Sequence, residues 1–242
     1  MSRDSLPVIK VDELPSRFLP YPDGTVIRYY PYTFGEIKKL SQMQGNPAEV
    51  FRVILGGIET EGVESSDITL SDFLFIALLR KLSSLGSSTF TLTLPCGNCF
   101  ESVTKSFTTD QLEFSDLEVP ALPVTLTLGA ADTELQFKPL TIGGFLKLSN
   151  ANALDDELAL LAAEVVNLDY DAARSVIENS TGEDLELLSQ VDEYLFHDVK
   201  PLDVECPTCK HVTHQTLKGR EDLIRPFRPN DDAVRNRIRF GV

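Results

Sequence analysis

The chain has 242 residues, with 22 Lys and Arg against 37 Asp and Glu, so its formal net charge at pH 7 is −15. Apolar residues make up 42% of it, which is typical of a globular protein of one or two domains. The acidity argues against general nucleic-acid binding, since neutralising phosphates requires clustered Lys and Arg. No apolar run approaches the about 18 residues of a membrane span, and the first residues lack the apolar core of a signal peptide. We therefore expect no membrane partner and a protein that is cytoplasmic where it is made.

The chain repeats part of its own sequence. A shift of 108 residues aligns 14–41 with 122–149 and gives nine identities in 28 positions without a gap, where average residue frequencies give about two. Each copy predicts a strand, a proline and then a helix capped by Thr33 or Thr141. The repeat favours an internal duplication, and convergent use of common helix-start residues is the alternative explanation.

Each half then has a helix that begins with Thr and carries Asp three residues later, in the pairs Thr69–Asp72 and Thr181–Asp184. Both pairs resemble a capping box with Asp in place of Glu or Gln. In the second half, Asn152 is predicted to cap a further helix, whose apolar residues line one side.

Four cysteines form two C-x2-C pairs, Cys96–Cys99 and Cys206–Cys209, and each pair lies between strand-like segments. Such turns are typical of zinc knuckles. Two knuckles supply the four thiolates that structural Zn²⁺ requires for tetrahedral coordination, at about 2.3 Å per sulfur. We predict one structural zinc near a pseudo-twofold axis, joining the two halves.

Other interpretations of the cysteines stay open. Two disulfides would need an oxidising compartment. A redox C-x2-C pair usually opens a helix, whereas strands flank these pairs. Four inert thiols are the third possibility, and His211 or His214 could replace one cysteine as a zinc ligand.

The motifs of common enzyme classes are missing from the sequence. It contains no Walker A motif, no HExxH and no GxSxG. A shell of four thiolates would also leave zinc no open position for a substrate or a catalytic water. We therefore expect a protein that is not an enzyme and that has no small-molecule substrate.

The last 25 residues differ in charge from the rest. Residues 218–242 hold seven Lys and Arg against four Asp and Glu, so they carry +3 and the remaining chain carries −18. With two prolines and no apolar period, the segment predicts an extended arm, and a solvated terminus is the alternative. As an arm it would bind neighbours through arginines and apolar anchors. These partner-binding candidates are Arg225, Phe227, Arg228, Arg235, Arg237, Ile238, Arg239 and Phe240.

The first half has a characteristic order of motifs. LPSRFLPY at 14–21 precedes PYTFGEIKKL at 31–40, the helix opening TLSDFLFIALLR at 69–80 and a cysteine pair. This order resembles the T4-like baseplate hub family of contractile-tailed bacteriophages. The residues that carry the resemblance are Leu14, Pro15, Ser16, Tyr21, Glu36, Asp72, Arg80, Cys96 and Cys99. The second copy matches more weakly, because Val124 and Gly144 stand where Ser16 and Glu36 are.

The resemblance implies a structural virion protein of the tail baseplate, associated with the hub or wedge, that binds other baseplate or tail proteins. It also implies a location in the virion tail, with host cytoplasm during assembly. An assembly chaperone that leaves before the particle is complete is one alternative. A zinc-ribbon transcription or nucleic-acid adaptor is another.

The predicted organisation is an α+β fold with two duplicated strand–helices–hairpin halves. A shared four-cysteine, zinc-ribbon-like site joins the halves, and an extended C-terminal arm follows. The predicted segments are an N-terminal extension at 1–13, a first half at 14–107, a linker at 108–121, a second half at 122–217 and the basic arm at 218–242.

Overall fold

The computed structural model describes residues 6–43, 47–116, 121–129, 133–195 and 197–215. Within these ranges it combines α-helices with four small antiparallel sheets, so the predicted α+β class is confirmed. The strands are β1 (Ile9–Lys10), β2 (Val26–Tyr29), β3 (Ile58–Glu61), β4 (Thr89–Pro95), β5 (Ser102–Thr108), β6 (Val124–Leu128), β7 (Thr133–Phe137), β8 (Leu202–Glu205) and β9 (Val212–Gln215). The helices are α1 (Phe34–Gln42), α2 (Pro47–Leu55), α3 (Leu70–Ser84), α4 (Ile142–Asn150), α5 (Glu157–Glu164), α6 (Tyr170–Glu178) and α7 (Gly182–Leu195).

The helices begin at side chains that bind their free backbone amides. Thr33 and Glu36 form a complete capping box at α1, and the hydroxyls of Thr69 and Thr141 accept from the amides three residues on at α3 and α4. These are the predicted caps, and each replaces one of the hydrogen bonds that a helix N-terminus lacks.

The predicted cap of α5 is wrong. Asn152 has a φ of +54° and its amide donates to Ser149 O, so it belongs to the turn that ends α4. The helix begins at Glu157 instead, where Asp156 Oδ1 accepts from the Ala159 amide at 3.1 Å. Asp and Asn are almost equally good caps, so the choice between them depends on where the preceding helix ends.

Three apolar clusters hold the structure together. The first lies in the body formed by β1–β3 and α1–α3, which we call the first body. The second lies in the body formed by β6, β7 and α5–α7, the second body. The third lies between the hairpins β4–β5 and β8–β9. In the first body the sheet order is β1-β2-β3, with Tyr29 opposite Ile58.

Helix α4 packs in the first cluster, although its sequence belongs to the second repeat. Ile142 and Phe145 are buried there, and the ring of Phe145 stacks on Phe51 with centroids 4.7 Å apart. The backbone reinforces this docking, because the Ile142 amide donates to Ile68 O at 2.9 Å. The two repeats are therefore joined by a shared core. No helix in the described part of the chain is long and apolar enough to cross a membrane.

Candidate metal centre

Each cysteine pair lies in the turn of a short antiparallel hairpin, and the two turns have the same backbone geometry. In the first, the Cys96 amide donates to Glu101 O at 2.8 Å, and the Phe100 amide donates to Cys96 O at 3.0 Å. The second turn repeats both bonds around Cys206, at 2.9 and 3.0 Å. Phe100 and Lys210 occupy equivalent positions with φ of +60° and +61°. Matching turns present matching pairs of thiols.

The two hairpins face each other across an apolar layer. Its buried members are Cys96, Val103, Phe107, Leu202, Val204 and Cys206. A polar link lies beside it, where Lys105 Nζ donates to Asp203 O at 2.7 Å. The hairpins are also linked through the strand-like segments that adjoin them, where Phe114 forms an antiparallel bridge with Val199. This packing brings together cysteines that lie 107 and 113 residues apart in the chain.

The four thiols form one compact group. All four Sγ atoms lie within 4.8 Å of one another, and the Cys96–Cys209 and Cys99–Cys206 pairs are each 3.6 Å apart. A tetrahedron with metal–sulfur bonds of about 2.3 Å has edges of about 3.8 Å, so these separations suit one metal ion. A disulfide needs about 2.05 Å, and all four cysteines are free.

Neither nearby histidine belongs to the thiol group. His214 Nδ1 lies 2.6 Å from Asp203 Oδ1, in an exposed pair on the surface of the second hairpin. His211 lies beside the first turn, where a Cβ on Gly97 would be 3.2 Å from its Nε2. The donor set is therefore four sulfurs.

The pKa values of Cys209 and Cys99 shift in opposite directions. A backbone hydrogen bond from His211, followed by a side-chain hydrogen bond from Asn98, lowers the pKa of Cys209 to about 6. At Cys99 the backbone hydrogen bond from Glu101 also lowers the pKa, but the neighbouring thiols outweigh it and raise the pKa to about 12. Four thiolates at this spacing repel one another. A bound cation would remove that repulsion, and soft metal ions are the ones that prefer such sulfur donors.

Five of the residues that carry the family resemblance form two largely buried groups that sequence reasoning missed: Ser16, Tyr21 and Asp72, and Glu36 and Arg80. In the first group, Asp72 accepts from the Ser16 amide at 3.0 Å, from Ser16 Oγ at 2.5 Å and from the Tyr21 hydroxyl at 2.6 Å. Burial raises the pKa of Asp72, and the hydrogen bonds from Ser16 and Tyr21 oppose that effect. The motif LPS therefore ties the N-terminal segment to the start of α3.

The second group surrounds Arg80, whose side chain is fully buried on α3. Its guanidinium lies 3.4 Å from Glu36 Oε1 and 4.0 Å above the ring of Tyr32, and it also donates to backbone carbonyls at Tyr30 and Ile54. A signal was present in the sequence, because Asp72 and Arg80 flank the apolar run FLFIALL of a helix that is buried on several sides. Buried charges are rarely tolerated without partners.

The second body keeps only the first of these groups. Asp184 is buried, accepts from the Gly129 amide at 2.8 Å and caps α7 together with Thr181. The 108-residue shift aligns Gly129 with Tyr21, so a backbone amide donates to the carboxylate where the first body uses a phenol. The predicted arm and its eight partner-binding candidates at 225–240 lie outside the described residues.

Comparison with known proteins identifies a family. Residues 14–225 match a family model described as "T4 bacteriophage base plate protein". The match runs through both repeats and both cysteine pairs, whereas the sequence motifs alone covered the second repeat weakly. No curated protein and no solved structure matches the chain significantly.

Proposed function

The chain belongs to the family of T4 bacteriophage base plate proteins, and on that premise we propose that it is a structural, non-catalytic component of the hub or wedge region of the baseplate. Its role there is to bind neighbouring tail proteins. The family match over residues 14–225 carries this proposal. In the virion the protein occupies the tail, and before assembly it resides in the host cytoplasm.

We propose that the four cysteines hold one structural Zn²⁺. Three observations support zinc: four free thiols, sulfur separations close to a tetrahedral edge, and two hairpins whose shared core is small. A four-sulfur shell is typical of structural zinc, and the metal would fix the hairpins at the angle in which they meet.

The zinc proposal is tested by native mass spectrometry of the purified chain together with elemental analysis. One zinc per chain is expected, and Co²⁺ substitution should give the absorption of a tetrahedral thiolate site. His214→Ala is the matched control, because it changes an exposed residue of the same hairpin and should leave the zinc content unchanged. Iron in place of zinc, or four titratable thiols without metal, would overturn the assignment.

We propose that the two halves arose by duplication. Several local features recur at the repeat spacing and support it. Tyr29 pairs with Ile58 in the first body, and Phe137 bridges Val165 in the second. Tyr29 and Phe137 are aligned by the same 108-residue shift that aligns the caps Thr33 and Thr141. The buried acids at the starts of α3 and α7 recur as well.

The basic C-terminal segment is proposed to dock on a neighbouring tail protein. Its charge of +3 against −18 for the rest of the chain suits an acidic partner surface, and its arginines and aromatics are the residue types that anchor interfaces. A chain ending at Leu217 should keep its zinc content and thermal stability but enter baseplates poorly. Substituting only Glu221 and Asp222 by Gln provides a control that leaves the arginines intact.

Location is tested on the particle itself. Density for this chain in a cryo-EM map of the parent virion, or its peptides in purified virions, supports a baseplate component. Presence in infected lysate with absence from purified virions would instead identify an assembly chaperone. A salt-sensitive shift of DNA or RNA at low salt would favour a nucleic-acid adaptor.

A further inference from the structure

Helices α1 and α4 hold equivalent positions in the two repeats but have opposite surroundings. The 108-residue shift aligns Phe34 with Ile142 and Ile37 with Phe145. In α4 these side chains are 0% and 7% exposed, because they pack in the first body. In α1 they are 83% and 37% exposed. Helix α1 therefore presents to solvent the apolar face that α4 buries.

The start of α3 lies against the start of α4, because Thr69 bridges Thr141 and the Leu70 amide donates to Leu140 O at 2.7 Å. Within the first body, Phe51 contacts both Phe145 of α4 and Phe73 of α3, with ring centroids 4.7 and 5.1 Å apart. The 112-residue spacing that aligns Thr69 with Thr181 places Leu185 at the position of Phe73. Phe73 is 0% exposed, whereas Leu185 is 43% exposed. The start of α7 thus lacks the cover that the start of α3 has.

We infer that copies of this chain join head to tail, with α1 of one copy docking on the start of α7 of the next. The contact repeats between chains the docking of α4 on the first body that exists within each chain. The inference rests on the proposed duplication, and it names a second copy as one partner of the baseplate protein.

Charge supports a second copy as the occupant of the α1 face. Lys38 and Lys39 are exposed on α1, beside the apolar face. Glu183 and Glu186 are exposed on α7, beside Leu185. The basic α1 surface and the acidic α7 surface attract each other, while two α1 surfaces or two α7 surfaces would repel. The complementarity therefore selects the head-to-tail arrangement.

A head-to-tail contact uses a different surface on each partner. Such contacts close into a ring where the rotation between copies permits, and otherwise extend into a filament. Association would therefore continue past a dimer as the protein concentration rises, unless a ring closes first.

The test is sedimentation velocity of the full, metal-loaded chain over a range of concentrations. The wild type should form assemblies whose mass grows with concentration or stops at a ring. Phe34→Asp and Leu185→Asp should each be monomeric, because one lacks the α1 face and the other lacks the α7 face. Leu85→Asp is the control, since Leu85 is 65% exposed at the end of α3, and it should associate like the wild type.

Mixing the two variants makes the test specific. Phe34→Asp keeps its α7 face and Leu185→Asp keeps its α1 face, so an equimolar mixture should form a 1:1 dimer that does not grow. Circular dichroism and zinc content establish that each variant folds, and Phe34→Ser provides a milder second variant.

Three results would overturn the inference: a wild type that stays monomeric at every concentration, a mixture that stays monomeric, or a Leu185→Asp variant that associates like the wild type. Zinc content and presence in the virion are measured separately, so failure here leaves the proposed function standing.

Discussion

The cysteine hairpins and the helical bodies of this protein meet in different ways. The hairpins meet reciprocally, since the first cysteine of each pair lies 3.6 Å from the second cysteine of the other. The bodies meet in one direction only, because α4 packs into the first body while its counterpart α1 leaves Phe34 exposed. The contact between the hairpins is therefore reciprocal, and the contact between the helical bodies is not.

This difference indicates which constraints keep the structures of the two similar halves alike. A four-thiol site works only if both turns keep their geometry, so the turns around Cys96 and Cys206 match bond for bond. The bodies have no such shared requirement. In the second half Gly144 aligns with Glu36 and Asp192 aligns with Arg80, so this ion pair has no counterpart there.

Breaking the reciprocal contact between the cysteine hairpins should lower the stability of the protein the most. Cys206→Ser removes one of four sulfurs, and structural zinc in zinc-finger peptides contributes an apparent binding free energy of about 10–16 kcal/mol. We expect zinc to be lost and the thermal midpoint to fall sharply in calorimetry. Thr213→Ser, beside the first turn, is a control that should keep both. An unchanged midpoint would mean that the apolar layer alone holds the hairpins.

The second largest loss of stability should come from removing the buried ion pair between Arg80 and Glu36 of the first body. Arg80→Ala leaves Glu36 without its buried partner, and breaking a buried pair costs about 3–5 kcal/mol in the free energy of unfolding. Denaturant unfolding measures this loss.

The control for Arg80 is an exposed pair of the same body. Arg28→Ala breaks the contact with Glu61, which should change the unfolding free energy little because water screens it. If Arg80→Ala and Arg28→Ala lowered the unfolding free energy equally, burial of the Arg80 pair would not explain its contribution. Gly57→Ala tests the same site without removing a charge, since a Cβ there would lie 1.9 Å from Arg80 Nη2.

Removing the buried acid should also destabilise the first body more than the second, but the loss of unfolding free energy should be smaller than for the ion pair. Asp72→Ala leaves donors of Ser16 and Tyr21 unpaired, at about 1–3 kcal/mol for each buried group that finds no water. Asp184→Ala removes the acceptor for the Gly129 amide and for the Thr181 amide and hydroxyl, but these donors are only part-buried and can bind water, so the loss should be about 1 kcal/mol. Urea midpoints of both variants give the comparison, and a larger loss for Asp184→Ala would reverse it.

A pH dependence should report on the junction between the second body and its hairpin. His197 is buried, and neither ring nitrogen has a hydrogen-bond partner among the described residues. Burial, and then the charge of Arg17, lowers the pKa of His197 below its ordinary 6.5. Below about pH 6.5 the unfolded chain binds a proton that the folded chain resists, so stability falls as pH drops toward the folded pKa.

This pH effect should be the smallest of the four. Thermal midpoints between pH 7.5 and 5.5 measure it, in a range where most carboxylates stay ionised. His197→Phe should flatten the slope, and any slope that remains comes from other groups with shifted pKa values, among them Asp72 and the thiols. An equal slope in wild type and variant would exclude His197 as its source.

Local features of this fold could be predicted from the sequence, because they depend on neighbouring residues. The caps Thr33 and Thr69 satisfy amides three residues away, and the cysteine turns are set by a C-x2-C spacing. The four-cysteine group itself followed from the tetrahedral requirement of one metal.

Long-range features could not be predicted, because they depend on which surfaces meet. Nothing within α4 distinguishes a helix that packs in its own half from one that packs against Phe51 in the other half. The Asp72 and Arg80 groups depend in the same way on partners 26 to 56 residues distant. A charged residue on a buried helix signals that a partner exists but does not identify it.

The bridge between Phe114 and Val199 shortens the loop that must close to bring the two cysteine pairs together. Cys99 and Cys206 are 107 residues apart along the chain, but through this bridge the connecting path is about fifteen residues on one side and seven on the other. Each doubling of a loop costs about 0.6 kcal/mol of closure entropy, so the shorter path lowers that cost by about 1.4 kcal/mol. Once the bridge forms, the length of chain between the cysteine pairs no longer affects metal capture. The loops of the second body can therefore gain or lose residues at little cost to bringing the four thiols together.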